Sequence, residues 1–293
     1  MPFQRRILST TATFAILAVA HPGARQPALK EVLDRAAAYV ERFHQQLSQI
    51  VSEETYTQTV IDTSRFANTP LAQQPPRRLR SDLIFLRSPE SNRFIELRDV
   101  FEVDGSPVRD RQARLLALLS DPRGGPQIGE ILRESARYNI GSVTRNINTP
   151  LMQLQFLDKD NQSRFEFKHV EKPRPVFTDA REQAANAAGV FRVTTEMWTI
   201  EYRERGRNTI IRRPDGDNLP VRGRFWIDPS TGAVLISEMI ADGGGVTTTV
   251  TVSYQSEPLM GFLVPVEMRE LYVRSGERIA GHAVYGRFRL VKQ

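Results

Sequence analysis

Cysteine is absent from the 293-residue chain. Disulfides, thiolate zinc sites, iron–sulfur clusters and cysteine nucleophiles are excluded with it. Lysine is nearly absent too. Among the 40 basic residues only Lys30, Lys159, Lys168, Lys172 and Lys292 are lysine, and the rest are arginine. Histidine is limited to His21, His44, His169 and His282, which fit no metal-ligand spacing such as HExxH. There is no GxSxG elbow, no phosphate loop and no GxGxxG turn. These gaps leave no catalytic residue, metal site or cofactor site to name, and the expectation is a protein that is not an enzyme. No run beyond residue 20 approaches the length of apolar chain that spans a bilayer.

What is present is ordinary for a globular chain: 40% hydrophobic and 25% charged residues. A net charge of +6 invites thoughts of nucleic acid or an anionic surface. Yet acids alternate with the arginines, as in Glu201-Tyr202-Arg203-Glu204-Arg205, and no dense basic block occurs. The expectation is a solvated surface and no nucleic-acid partner.

The N-terminus has the layout of a secretory signal peptide. Arg5 and Arg6 precede an uncharged run from Ile7 to Ala20 that ends in Ala18-Val19-Ala20, and no acid occurs before Glu31. Residues 1–20 are read as the signal. The mature chain is expected to be exported, periplasmic or extracellular, without a transmembrane segment. Cleavage takes away two of the 40 basic residues and none of the 34 acidic ones, leaving +4.

One domain is expected over 28–293. Leu29, Val32, Leu33, Ala36, Val40, Phe43, Leu47 and Ile50 recur at steps of three and four, an apolar stripe that predicts a helix. From Glu53 the period changes to two. Thr55, Thr57, Thr59 and Ile61 alternate with Tyr56, Gln58 and Val60, and Leu79–Leu86 is a second strand candidate. In Arg93–Val103 the residues Ile95, Leu97, Phe101 and Val103 share one face and Glu96, Arg98 and Glu102 the other, which places those charges on the solvent side. A helical insertion is expected over 110–157, broken at Gly124-Gly125-Pro126. The remainder alternates as strands, among them Phe191–Glu204, Arg224–Asp228, Ala233–Ala241 and Val246–Tyr254, joined mostly by short turns that favour antiparallel pairing.

Glu53 and Glu54 are adjacent on a strand, so they point to opposite faces and cannot share acid–base work. Asp158-Lys159-Asp160-Asn161-Gln162 lacks the glycine and the twelfth-position glutamate of a calcium loop. Aromatic and aliphatic residues occur on both faces of several strands, which predicts a curved sheet around an apolar hollow. Leu97, Phe101, Leu115, Leu118, Phe167, Trp198 and Val250 are the candidates to line it.

Phe225-Trp226-Ile227-Asp228-Pro229-Ser230-Thr231-Gly232 is followed by the strand Ala233–Ala241, a Thr/Val-rich strand ending at Tyr254, and Pro265–Glu270. This series resembles the outer-membrane lipoprotein-sorting (LolA-like) superfamily, best over about 190–293. The resemblance implies an α+β fold: a strongly curved antiparallel half-barrel with an N-terminal helix and further helices on its concave face. It implies a hydrophobic ligand or lipoprotein as partner. The alternatives are a periplasmic interaction module with a filled core and an envelope protein partner, and, behind it, a hydrolase whose carboxylates form no motif. The resemblance carries over no site residue.

Overall fold

The computed structural model describes residues 26–47, 50–62, 75–87, 94–119, 128–143, 145, 147–171, 197–213, 215–258 and 260–290. The first helix, α1 (Leu29–Leu47), buries Val32, Ala36, Val40, Phe43 and Leu47 along the expected stripe. It ends before Ile50, which instead opens the first strand. The strands are β1 (Ile50–Asp62), β2 (Arg77–Arg87), β3 (Phe94–Val103), β4 (Ser106–Pro107), β5 (Phe165–Val170), β6 (Trp198–Glu204), β7 (Val221–Ile227), β8 (Val234–Gly243), β9 (Val246–Glu257), β10 (Phe262–Arg274) and β11 (Glu277–Leu290). Between β4 and β5 come α2 (Arg111–Leu119), α3 (Ile128–Ala136), a 3-10 helix (Met152–Leu157) and α4 (Lys159–Gln162). The α4 turn occupies the segment that falls short of a calcium loop. The proposed signal, and residues 191–196 of the strand expected to begin at Phe191, lie outside the described residues.

All eleven strands form one antiparallel sheet in the order β4-β3-β2-β1-β11-β10-β9-β8-β7-β6-β5. Two meanders, β1–β4 and β5–β11, are joined by the pairing of β1 with β11, from Ile50↔Leu290 to Asp62↔Glu277. Register shifts in β1, β2, β7 and β10 mark bulges, which bend and twist strands. The sheet curves but does not close. Its edges, β4 and β5, are consecutive in the chain, so residues 108–164 must travel from one edge to the other.

Helix α1, the 3-10 helix and the segment 137–151 cover one face, called inner here. Phe43 of α1 packs edge-on to Tyr254 and Phe262, each at 6.3 Å. The hairpin from Asp228 explains how α1 is seated. Asp228 Oδ1 accepts from Ser230 N at 2.8 Å and Oδ2 from Thr231 Oγ1 at 2.9 Å, which ties the turn. Gly232, at φ +78, comes so close to the helix that an added Cβ would lie 2.3 Å from the Arg35 carbonyl carbon. Arg35 Nη1 donates to Pro229 O at 2.7 Å from the helix side. The motif that suggested the family is thus a docking joint.

The expected facing of β3 is inverted. Glu96 and Arg98 are buried and Arg98 bonds to Glu54 on the inner face. Leu97 turns the other way, into a small cluster with Ile84, Leu115 and Ile131. Charge in a strand marks a solvated face only when nothing covers that face, and here 137–151 covers it.

Candidate functional site

Charged side chains inside the sheet form the site. Inner-facing residues of β1 read Ser52, Glu54, Tyr56 and Gln58, all fully buried and mostly polar. Glu54 meets Arg98 in a two-pronged pair, Nε to Oε2 at 2.5 Å and Nη2 to Oε1 at 3.0 Å. Ser81 Oγ donates to the same carboxylate at 2.9 Å, and the guanidinium lies 4.6 Å from the centre of the Tyr56 ring. Burial opposes the charge on Arg98, but the Glu54 carboxylate more than offsets it, so its pKa is raised.

A second pair sits two strands beyond β1, across β11. Arg145 comes from the covering segment and is fully enclosed with Glu270 of β10, Nη1 to Oε1 at 3.0 Å. The same Nη1 donates to Tyr56 Oη at 2.7 Å, and Nη2 donates to Gln58 Oε1 and, at 2.9 Å, to Ile140 O. Tyr56 Oη and Tyr272 Oη both donate to Glu270, the latter at 3.1 Å. Burial first, then the negative charge of Glu270, pushes both phenols well above their ordinary pKa, so they act as neutral donors. Gly281 of β11 makes room: an added Cβ would lie 2.3 Å from Glu270 Oε1.

The described residues of 137–151 form a strap across this ground, held by polar contacts to the sheet and by Ile147 and Leu151 in the apolar core. Gln58 Nε2 donates to Tyr138 O at 3.3 Å, and Ile140 N donates to Gln58 Oε1 at 3.1 Å. Arg98 Nη2 donates to Asn148 O at 3.1 Å, and Tyr254 Oη to Pro150 O at 2.6 Å. Leu151 N donates to Glu96 Oε1 at 3.1 Å. Burial pushes Glu96 up to about 8, against the Thr149 hydroxyl and the Leu151 amide, so it is a neutral acid near pH 7. The other oxygen of Glu96, Oε2, is buried with no hydrogen-bond partner, and so is Arg145 Nε. Both residues border a small space of about 10 Å³ shared with Leu83, Arg98, Leu132, Ser135, Asn148 and Thr149.

The described residues among the seven expected to line a hollow divide: Trp198 and Val250 belong to the main core, with Phe167 packed on it, while Leu97 and Leu115 lie in a separate small cluster. Leu97 and Leu115 meet each other on the outer side. Phe101 is close by, its ring flanked by Arg80 at 5.0 Å and Arg111 at 5.4 Å. The side chain of Leu118 lies outside the described residues. Phe167 packs on Phe165 at 5.8 Å, and Trp198 stacks on His169 at 3.8 Å. Val250 is fully buried opposite Met239 and Glu270. Sequence reasoning missed Glu54, Glu96, Arg98, Arg145 and Glu270. The available signal was the inner face of β1, where a strand that must be covered carries Ser52, Glu54 and Gln58.

Two wider grooves, about 490 and 570 Å³, lie on the outer face near β5–β8. They are lined by ion pairs such as Arg222–Asp242 at 2.5 Å, Arg224–Glu201 at 3.3 Å and Arg224–Glu238 at 3.2 Å. Among the described residues no cluster of carboxylates and histidines has metal-binding geometry, and no helix is long and apolar enough to cross a membrane.

No protein family model matches the chain, and no curated protein does. Two solved structures are similar to it. One is a putative outer membrane lipoprotein-sorting protein domain from Vibrio parahaemolyticus, at 10% identity and a TM-score of 0.37, covering 87% of this chain and 92% of that one. The other is a DUF1329 family protein from Desulfovibrio piger, at 10% identity and a TM-score of 0.35, covering 89% and 92%.

Proposed function

We propose that the chain is an exported, non-enzymatic binding protein that carries a lipid, a lipoprotein or another hydrophobic ligand in the cell envelope. The observation that carries this reading is the open sheet, whose inner face is crossed by a strap held in good part through polar groups. Directional contacts of this kind can be exchanged for water as a strap lifts, whereas a continuous apolar seam resists separation. Beside the strap, Leu29, Leu33 and Tyr39 of α1 and Phe262 and Leu263 of β10 are only partly buried against the core and offer footing for an acyl chain. The signal-like N-terminus, the absence of catalytic motifs and the LolA-like hairpin support the same reading.

The test is native mass spectrometry of the mature protein purified from its own host, with a fluorescent fatty acid titrated into the delipidated chain. A co-purified lipid of defined mass and saturable binding are expected. Finding neither would abandon the carrier reading. The second reading, a protein-interaction module with a filled core and an envelope partner, is favoured by the small size of the space under the strap, about 10 Å³. Under that reading, cross-linking in cells yields a defined protein adduct, and the lipid experiments are negative.

A further inference from the structure

Glu96 and Arg145 belong to opposite sides of the joint between sheet and strap. Each is at least nine-tenths buried, each has one polar atom without a partner, and both border the same small space. Its volume of about 10 Å³ lies near the minimum that admits one water molecule. Charge argues against an ion. Arg98 is paired with Glu54 and Arg145 with Glu270, so the surrounding pairs are balanced. Tyr254 and Tyr285, the other titratable groups that feel Glu96, are neutral phenols raised by burial. What the site asks for is a neutral molecule that accepts from the Arg145 Nε–H and bonds with Glu96 Oε2. The Thr149 hydroxyl, the Asn148 amide and Ser135 border the same space.

We propose that this space is a binding site for one water molecule, held by Glu96 Oε2 and Arg145 Nε, and that the bound water locks the strap onto the sheet. The water ties Glu96 of β3 to the Arg145–Glu270 pair of the strap and β10, beside the path by which Asn148 and Tyr56 already link that pair to Arg98–Glu54. It satisfies two buried groups whose desolvation would otherwise weigh against the closed strap. The proposal stands apart from lipid carriage, because it concerns how the strap is held and not what lies beneath it.

The first test is a crystal structure of the mature protein at about 1.5 Å or better. A solvent oxygen is expected roughly 2.6–3.2 Å from both Glu96 Oε2 and Arg145 Nε. A direct contact between the two side chains, an ion, or no density there overturns the site. The second test is amide hydrogen exchange on two variants. Glu96→Gln keeps the acceptor for Leu151 N, presents an N–H where the neutral acid has its O–H, and is expected to retain wild-type protection of the strap. Leu132→Phe fills the space from α3 without touching either polar group. It is expected to speed exchange at Ile140, Ser142 and Leu151 by roughly tenfold and leave α1 unchanged. Strap protection unchanged in Leu132→Phe, with the space shown to be filled, overturns the locking role. Loss of strap protection in Glu96→Gln overturns it equally.

Discussion

Arg145 shows what a single residue does here. Its guanidinium serves Glu270, Tyr56, Gln58 and Ile140 O at once, with a side chain that is entirely enclosed. A buried pair of this kind contributes little net stability over an apolar pair, but removal of one member strands the other charge. Arg145→Met is therefore expected to cost about 3–5 kcal/mol in urea unfolding. Arg145→Met with Glu270→Gln should recover part of that loss, since no charge is then left alone. Glu96 makes a prediction in pH. Its folded pKa of about 8 stands above the ordinary 4.5, so the folded state holds a proton that the unfolded state has released. The contribution of Glu96 is greatest below pH 4.5 and declines as pH rises to about 8, at about 1.4 kcal/mol per pH unit. Glu96→Gln should remove this slope. Thermal melts of both proteins from pH 5 to 8.5 read it, and parallel curves would count against a neutral Glu96.

At the scale of elements, the joint between α1 and the β7–β8 hairpin is the clearest case of a motif with a mechanical cause. Gly232 combines a left-handed backbone with direct backbone contact to α1. Gly232→Ala is expected to lose about 2–4 kcal/mol, from the positive φ and from displacement of the helix. Gly245 is the control. It has φ +74 with nothing within 4 Å of an added Cβ, so Gly245→Ala should lose only the backbone part, about 1–2 kcal/mol. Equal losses at the two positions would show that the helix contact is unimportant. Helix α3 guards an edge. Ser135 Oγ accepts from Arg98 N at 3.0 Å and donates to Glu96 O at 3.4 Å, occupying backbone groups that β4 is too short to pair.

Over the whole molecule, the pairing of β1 with β11 stitches two meanders into one sheet, and these strands come from opposite ends of the chain. A chain ending at residue 276 would leave both β1 and β10 as long edges and remove Gly281, Ala283 and Tyr285 from the inner face. Such a chain is expected to lose near-ultraviolet dichroism and to aggregate, because long unpaired edges recruit other strands. A soluble product with native dichroism would show that the two meanders fold independently. The outer face carries its charges in pairs, across strands for Arg80 with Glu53 and Glu102 and Arg224 with Glu201 and Glu238, and from α2 to the sheet for Arg111 with Asp82 and Asp99. Among the described residues of this face, positive charge is thus interleaved with negative.

The chain alone determined its local structure. The four-and-three spacing of Val32, Ala36, Val40, Phe43 and Leu47 makes α1. The period of two makes strands, and the Asp228–Gly232 turn makes the hairpin, because each of these depends on neighbours a few residues away. The sequence could not disclose which face of β3 is inside. Glu96 and Arg98 look like solvent residues until a strap some fifty residues downstream is laid over them. Arg145, in a stretch without periodicity, gives no local sign of its burial. Only the tertiary structure decided the ionic core, because an ion pair is stable inside a protein when its partners arrive from distant segments and exclude water together.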